Sequence, residues 1–209
     1  MKYTQIGIDK EIMLNTLEVV DLSHPLFGSI SLQTDSSKNI VIIGPSGSGK
    51  TLLLKCIADL VPASGDILFN GTSRYHFAPA NWRKTVGFLS AETHWWGNTA
   101  SDSIYNIRHE DLDTLNLKPE ILHKPITECS TGERQRLALL RLLQNSPKVL
   151  LLDEPTANLD LINTKACEAL ISHYAKQHQA VLIWVTHDEE QIARLHPLVF
   201  AMENGVLTQ

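Results

Sequence analysis

Apolar residues occur in short blocks along this chain, separated by turn-forming stretches and by segments of helical periodicity. Residues 40–43 and 148–152 read as buried strands, and residues 180–185 as a further strand. Residues 17–22 and 29–34 read as early strands. Residues 65–71 alternate between two glycines, like an exposed hairpin strand. Short strands follow at 85–89, 198–202 and 206–208. Helical stretches cover 51–60, 161–176 and 189–195, and residues 131–144 form a strong amphipathic helix. Residues 99 to about 118 are polar and read as mostly helical. Strands alternating with helices predict an α/β fold around a mainly parallel sheet.

Composition narrows this picture only in places. A chain of 209 residues suits one domain, 1–209, with a substantial core. A net charge of -5 argues against a generally basic nucleic-acid surface. Cys56, Cys129 and Cys167 have no metal-ligand spacing and no even count for pairing, so they read as reduced thiols. No run of eighteen or more apolar residues is present, and residues 1–5 lack the apolar core of a secretory signal. A membrane role is therefore expected to come through a partner.

Three patches carry chemistry. Gly44, Pro45, Ser46, Gly47, Ser48, Gly49, Lys50 and Thr51 follow the apolar run 40–43 and precede a helical stretch. Their spacing fits the phosphate-binding P-loop. Glycines let backbone N–H groups close around a polyphosphate, and the helix start points its positive dipole end at the same place. Lys50 can neutralise phosphate oxygens, and the Thr51 hydroxyl can ligate Mg²⁺. A Gly/Ser-rich surface turn is the bland alternative, and both flanks argue against it. Asp153 and Glu154 end the apolar run 149–152, where α/β sheets place ligands. Bare carboxylates there are costly unless a cation is near, though a solvated acidic turn gives the same pattern. Ser130 and Glu133 are spaced as a capping box at the start of the amphipathic helix. With Gly132 between them, that helix end reads either as an anion site or as a well-capped terminus.

The ordered set of motifs resembles the nucleotide-binding subunit of ATP-binding cassette (ABC) proteins, from about residue 17 onward. Residues 44–51 look like Walker A, and 149–154 like Walker B with the catalytic glutamate. Cys129, Ser130, Thr131, Gly132 and Glu133 resemble the L-S-G-G-Q signature, with Cys, Thr and Glu departing from it. Ala157, Asn158, Leu159 and Asp160 are similar to the S-A-L-D dimer loop, and Asp160 also suits the N-cap of the following helix. Trp184 to Asp188 resembles the switch region, with His187 as its histidine; a turn-capping histidine is the structural alternative.

The resemblance implies a P-loop NTPase core with an N-terminal antiparallel β subdomain and a short helical subdomain at approximately 99–145. It implies an Mg²⁺-dependent ATPase. Gly44 to Thr51 would bind phosphates, Thr51 and Asp153 would hold the metal, and Glu154 and His187 would be catalytic. Ser130, Thr131, Gly132 and Glu133 would touch the ATP of a second ATP-binding subunit in a head-to-tail dimer, expected to be a homodimer. A separate transmembrane permease would receive the work at the cytoplasmic face, with no direct nucleic-acid contact expected.

Departures from the family pattern matter too. The glutamine expected after 86–89 is replaced by Ala91, followed by Glu92, a hard oxygen ligand that suits Mg²⁺. Trp95 and Trp96 are adjacent, so at least one ring is expected on the outer face, as a partner contact rather than tucked beneath the helical subdomain. The segment 99–127 is shorter than usual. Phe27 and His24 are the candidates for stacking the base. The alternative to a transporter subunit is a soluble ABC-type ATPase acting on nucleic acid, ribosomes or protein complexes. Such proteins usually carry insertions, a second cassette or basic arms, and none is visible in this sequence.

Overall fold

The computed structural model describes residues 14–209. The N-terminal stretch read above for a signal lies outside the described residues. In chain order the elements are β1 (Thr16–His24), β2 (Phe27–Asp35), β3 (Asn39–Ile43), α1 (Lys50–Ile57), β4 (Ser64–Phe69), β5 (Thr72–Ser73), α2 (Pro79–Thr85) and β6 (Val86–Leu89). Then come α3 (His109–Thr114), α4 (Thr131–Leu143), β7 (Val149–Asp153), α5 (Leu161–His178), β8 (Val181–Val185), α6 (Glu189–Leu195), β9 (Leu198–Glu203) and β10 (Val206–Thr208). An antiparallel sheet has the order β2-β1-β4-β5, and a second sheet the order β10-β9-β3-β8-β7-β6. In the second, β9, β3, β8, β7 and β6 run parallel and β10 closes the edge antiparallel.

The apolar runs are continuous because the parallel sheet is covered on both faces. On β7, Leu150 and Leu152 join a core under the helices, while Val149 and Leu151 join the core toward the antiparallel sheet. On β8, Leu182 and Trp184 take the first side, and Val181, Ile183 and Val185 the second. The period of two puts successive residues into opposite layers. Parallel registry brings the C-terminal ends of β3, β7 and β8 to one edge of the sheet, where chemistry-bearing loops emerge.

One expectation needs correction, and one helix was not foreseen. Residues 99–118 are not mostly helical: only α3 and a short 3-10 turn at Ala100–Asp102 are regular. Asp102 Oδ2 accepts the N–H groups of Asn98 and Thr99 at 2.7 and 2.9 Å, and Asn116 follows α3 with a positive φ of 53°. The Asp102 contacts close a capping box on that 3-10 turn, and the left-handed backbone at Asn116 follows a helix of only six residues, so the helical turns here start without propagating. The helix α2 has no counterpart in the hydrophobic pattern. Its signals are Pro79 at the first turn and Trp82, which is buried and whose Nε1 donates to the Ile57 carbonyl at 3.0 Å.

Candidate active site

The loop between β3 and α1 is shaped by what lies behind it. Gly44 has φ 145° and Gly49 φ 104°. A Cβ on Gly44 would clash with the Met202 carbonyl, and one on Gly49 would sit 2.9 Å from the Met202 side chain. The β9–β10 hairpin thus presses the loop into a cradle only glycine permits. Lys50 Nζ donates to the carbonyls of Gly44 and Pro45 at 2.7 and 2.8 Å, which holds the ammonium across the loop. Ser48 Oγ is buried without a hydrogen-bond partner.

Across the cradle stands the end of β7. Thr51 Oγ1 donates to both Asp153 oxygens at 3.0 and 2.9 Å. Asp153 is 4% exposed, and this burial pushes its carboxyl above the usual carboxylate range, against the pull of the Thr51 hydrogen bond. Glu154 continues the ladder, its N–H donating to the Val185 carbonyl at 2.9 Å, but with φ 45°. That left-handed backbone is unusual for a residue with a Cβ and is the kind of strain found at reactive positions. It turns the Glu154 side chain out of the sheet, to 3.3 Å from His187 Nδ1.

Lys50, Thr51, Glu154 and His187 share one cavity of about 860 Å³, lined also by Gly44 to Gly47, Gly49, Lys55 and Val185, with Leu26, Leu52 and Val61 as its apolar wall; Asp153 reaches it only through its hydrogen bonds with Thr51. The sequence reading missed those wall residues. Leu26 comes from the turn between β1 and β2, which no local pattern aims at the loop. Neither candidate for the base lines the cavity. Phe27 is buried behind Gly49, stacked on His24 at 5.7 Å between centroids.

Ser130 to Glu133 stand apart from this cavity. The capping box is present: Ser130 Oγ accepts the Glu133 N–H at 3.1 Å, and Glu133 Oε2 accepts the Ser130 N–H at 2.7 Å. That backbone hydrogen bond holds the Glu133 carboxyl below its ordinary range. Arg134 donates to the Cys129 carbonyl and to Thr131 Oγ1. Ser130 and Thr131 are exposed. Asp160 caps α5 through the Asn163 N–H at 2.9 Å, a bond that lowers its pKa. Asn163 Oδ1 in turn accepts from Arg136 of α4 at 2.9 Å, tying the first turn of α5 to the helix that begins at Thr131. Periodicity could not reveal that link, because its partners are 27 residues apart.

Glu92 is exposed and lines a different cleft of about 590 Å³, with Lys55, Trp96, Tyr105 and Arg141. The structure does not bring it to Thr51 and Asp153. The tryptophans divide as their adjacency requires. Trp95 packs against the core and Trp96 is 72% exposed, with the Arg141 guanidinium 4.2 and 5.2 Å from their ring centres. No helix among the described residues is long and apolar enough to cross a membrane.

The family model described as ABC transporter matches residues 27–157. Over 180 residues the chain is 35% identical to the probable iron export ATP-binding protein FetA of Escherichia coli (strain K12), covering 80% of each chain. It is 33% identical over 205 residues to the lipoprotein-releasing system ATP-binding protein LolD of Buchnera aphidicola, covering 88% of this chain and 89% of that one. A bacterial Atm1-family ABC exporter solved with ATP bound superposes with a TM-score of 0.79 at 19% identity. The match takes in 94% of this chain and 38% of that longer one.

Proposed function

The chain belongs to the ABC transporter family as an ATP-binding and ATP-hydrolysing subunit, and from that premise we propose that two copies close head-to-tail around ATP to drive a separate membrane permease. The whole chain acts as one nucleotide-binding domain, with its helical subdomain at approximately 99–145. The observation that carries the reading is the convergence of Lys50, the Thr51–Asp153 pair and the Glu154–His187 pair on one rim.

The residues fit a nucleotide triphosphate. The Met202 carbonyl leaves no room for a Cβ at Gly44, and φ 104° disfavours one at Gly49, so the backbone of the cradle stays open to a ligand. Lys50 can leave two neutral carbonyls for phosphate oxygens, a stronger charge-assisted bond. Thr51 and Asp153 form a hard oxygen pair that would hold Mg²⁺, which supplies charge neutralisation when bound. Placing a cation there also offsets the cost of the buried Asp153 carboxylate. Glu154 orients and deprotonates the attacking water. His187, within reach of Glu154, holds that carboxylate and the γ-phosphate in register. Positioning of this kind accounts for most of phosphoryl-transfer catalysis.

One copy does not complete the site. Ser130, Thr131, Gly132 and Glu133 lie outside the cavity with an exposed face and their local bonds satisfied. They are available to cover the γ-phosphate held by a second, identical copy, with Asp160 at the seam. The cleft with exposed Trp96 and Tyr105 is the proposed docking place of the permease, which brings this subunit to the cytoplasmic face of the membrane.

The test is recovery of partners. Tagged Glu154→Gln protein, purified from gently solubilised membranes of its own host with ATP present, is expected to bring a multi-span membrane protein with it. Recovery of soluble proteins, ribosomes or nucleic acid alone would overturn the permease assignment.

A further inference from the structure

Among the described residues, the one polar partner of the His187 side chain is Glu154, and that side chain is 77% exposed. Packing therefore does not hold the ring in place; the backbone of residues 186–188 does. One end of this backbone is fixed by β8. The other runs into α6, whose fully buried side chain is Gln191, at 0% exposure. Gln191 Nε2 donates to Thr156 Oγ1 at 2.9 Å and to Glu168 Oε1 at 3.0 Å. Glu168, on α5, is itself gripped by Arg194, whose Nε and Nη2 reach its two oxygens at 3.0 and 2.8 Å. Turning the amide over would set its oxygen against that carboxylate, so the fork has one orientation.

Thr156 lies two residues beyond Glu154. The contacts therefore close a ring. It runs from Glu154 through Pro155 to Thr156, across to Gln191, back along α6 to His187, and across 3.3 Å to Glu154 again. A cavity of about 350 Å³ lies within it, lined by Glu154, Thr156, Leu159, Thr186, His187 and Asp188 among others. Asp188 N-caps α6 by accepting the Gln191 N–H at 3.0 Å, which makes the short helix a rigid lever between the fork and the histidine.

We infer that Gln191 is a positioning residue for hydrolysis, fixing the His187 loop against the Glu154 turn while leaving phosphate binding alone. The inference rests on the roles given to Glu154 and His187 above. Gln191 does not line the phosphate cavity and acts through His187. A displacement of about 1 Å at a reacting group costs up to roughly 100-fold in rate. Gln191→Leu is accordingly expected to lower kcat about tenfold or more, with the KM for ATP within about twofold of wild type. In a His187→Ala background the same change is expected to cost nothing further, because the group it positions is gone. Thr156→Val removes the other end of the fork and is expected to repeat both results should Gln191→Leu not fold.

A second measurement needs no turnover. Hydrogen exchange on the nucleotide-free protein is expected to quicken in residues 154–158 and 186–190 of Gln191→Leu, with residues 39–57 unchanged. Unaltered exchange in 186–190, or a full kcat loss added to that of His187→Ala, would overturn the assignment. A wild-type protein without ATPase activity would instead refute the roles of Glu154 and His187. The exchange result would still decide whether Gln191 ties the two segments together.

Discussion

The phosphate loop and the start of α4 carry the two most recognisable nucleotide motifs of the chain, and they are built in opposite ways. The loop at 44–51 is concave, closed from behind by Met202, and contains a buried hydroxyl with no partner. The turn at 130–133 is exposed, and its donors and acceptors are spent on each other in a reciprocal cap. One region is organised to receive a ligand on its own. The other is a finished surface. The difference is the one the proposed head-to-tail dimer calls for: a turn complete as structure, which would act only on a nucleotide held by a second copy.

The most severe way to break the comparison is to disable the concave half. Lys50→Ala is expected to weaken ATP binding about 100-fold, roughly 2.7 kcal/mol, and to abolish hydrolysis; titration with a fluorescent ATP analogue checks this. Disabling the convex half should separate the two readouts. Ser130→Arg is expected to leave ATP binding by the isolated subunit within about twofold. Hydrolysis should fall at least tenfold, and the lost N-cap should cost about 1 kcal/mol in a thermal melt. Equal losses of binding and turnover would show that residues 130–133 serve their own copy's nucleotide.

A third change sets function against stability. Asp153 is buried and its folded pKa is raised, so the charged form is what the nucleotide-free fold tolerates poorly. A raised carboxyl pKa means the folded state holds a proton more tightly than the unfolded one. Stability of the nucleotide-free protein therefore rises as pH falls through the folded pKa of Asp153, and the destabilising contribution is fully present above it. Asp153→Asn is expected to remove that contribution and raise the melting midpoint at neutral pH, while Mg²⁺-dependent hydrolysis disappears. A lower midpoint would contradict the burial argument. The smallest expected effect is at Glu92, on the neighbouring cleft. Glu92→Ala should change turnover less than about threefold, the scale of an ordinary surface substitution, and leave the Mg²⁺ concentration for half-maximal activity unchanged. A clear shift in that concentration would bring Glu92 into the metal site.

Much of this was legible because the sheet is buried on both faces and its strands are short. The runs at 40–43, 149–152 and 181–185 are continuous apolar blocks of strand length, and the candidate residues at 44–51, 153–154 and 187 lie where those strands end. The capping box at Ser130 and Glu133 was readable because its partners are three residues apart. The irregular path between Thr99 and Ser130 was not readable. There, Asp102 caps a 3-10 turn of three residues and Asn116 turns the backbone left-handed just past α3, and periodicity carries no trace of where such short turns stop. Nor did the pattern announce Leu26 on the cavity wall, or the Gln191–Glu168–Arg194 cluster. Those depend on contacts between elements far apart in the chain, and a buried glutamine in a short helix reads as a solvated one until the fold is known.

The central claim is that a second copy completes the site, and trapping the closed state tests it most directly. Glu154→Gln preserves the shape of the side chain and removes the base, so ATP should bind and remain. Sedimentation velocity of this variant is expected to show a monomer without nucleotide and a dimer at saturating Mg-ATP. The Glu154→Gln, Ser130→Arg double variant should stay monomeric under both conditions. A Glu154→Gln protein that binds ATP yet sediments as a monomer throughout would contradict the account.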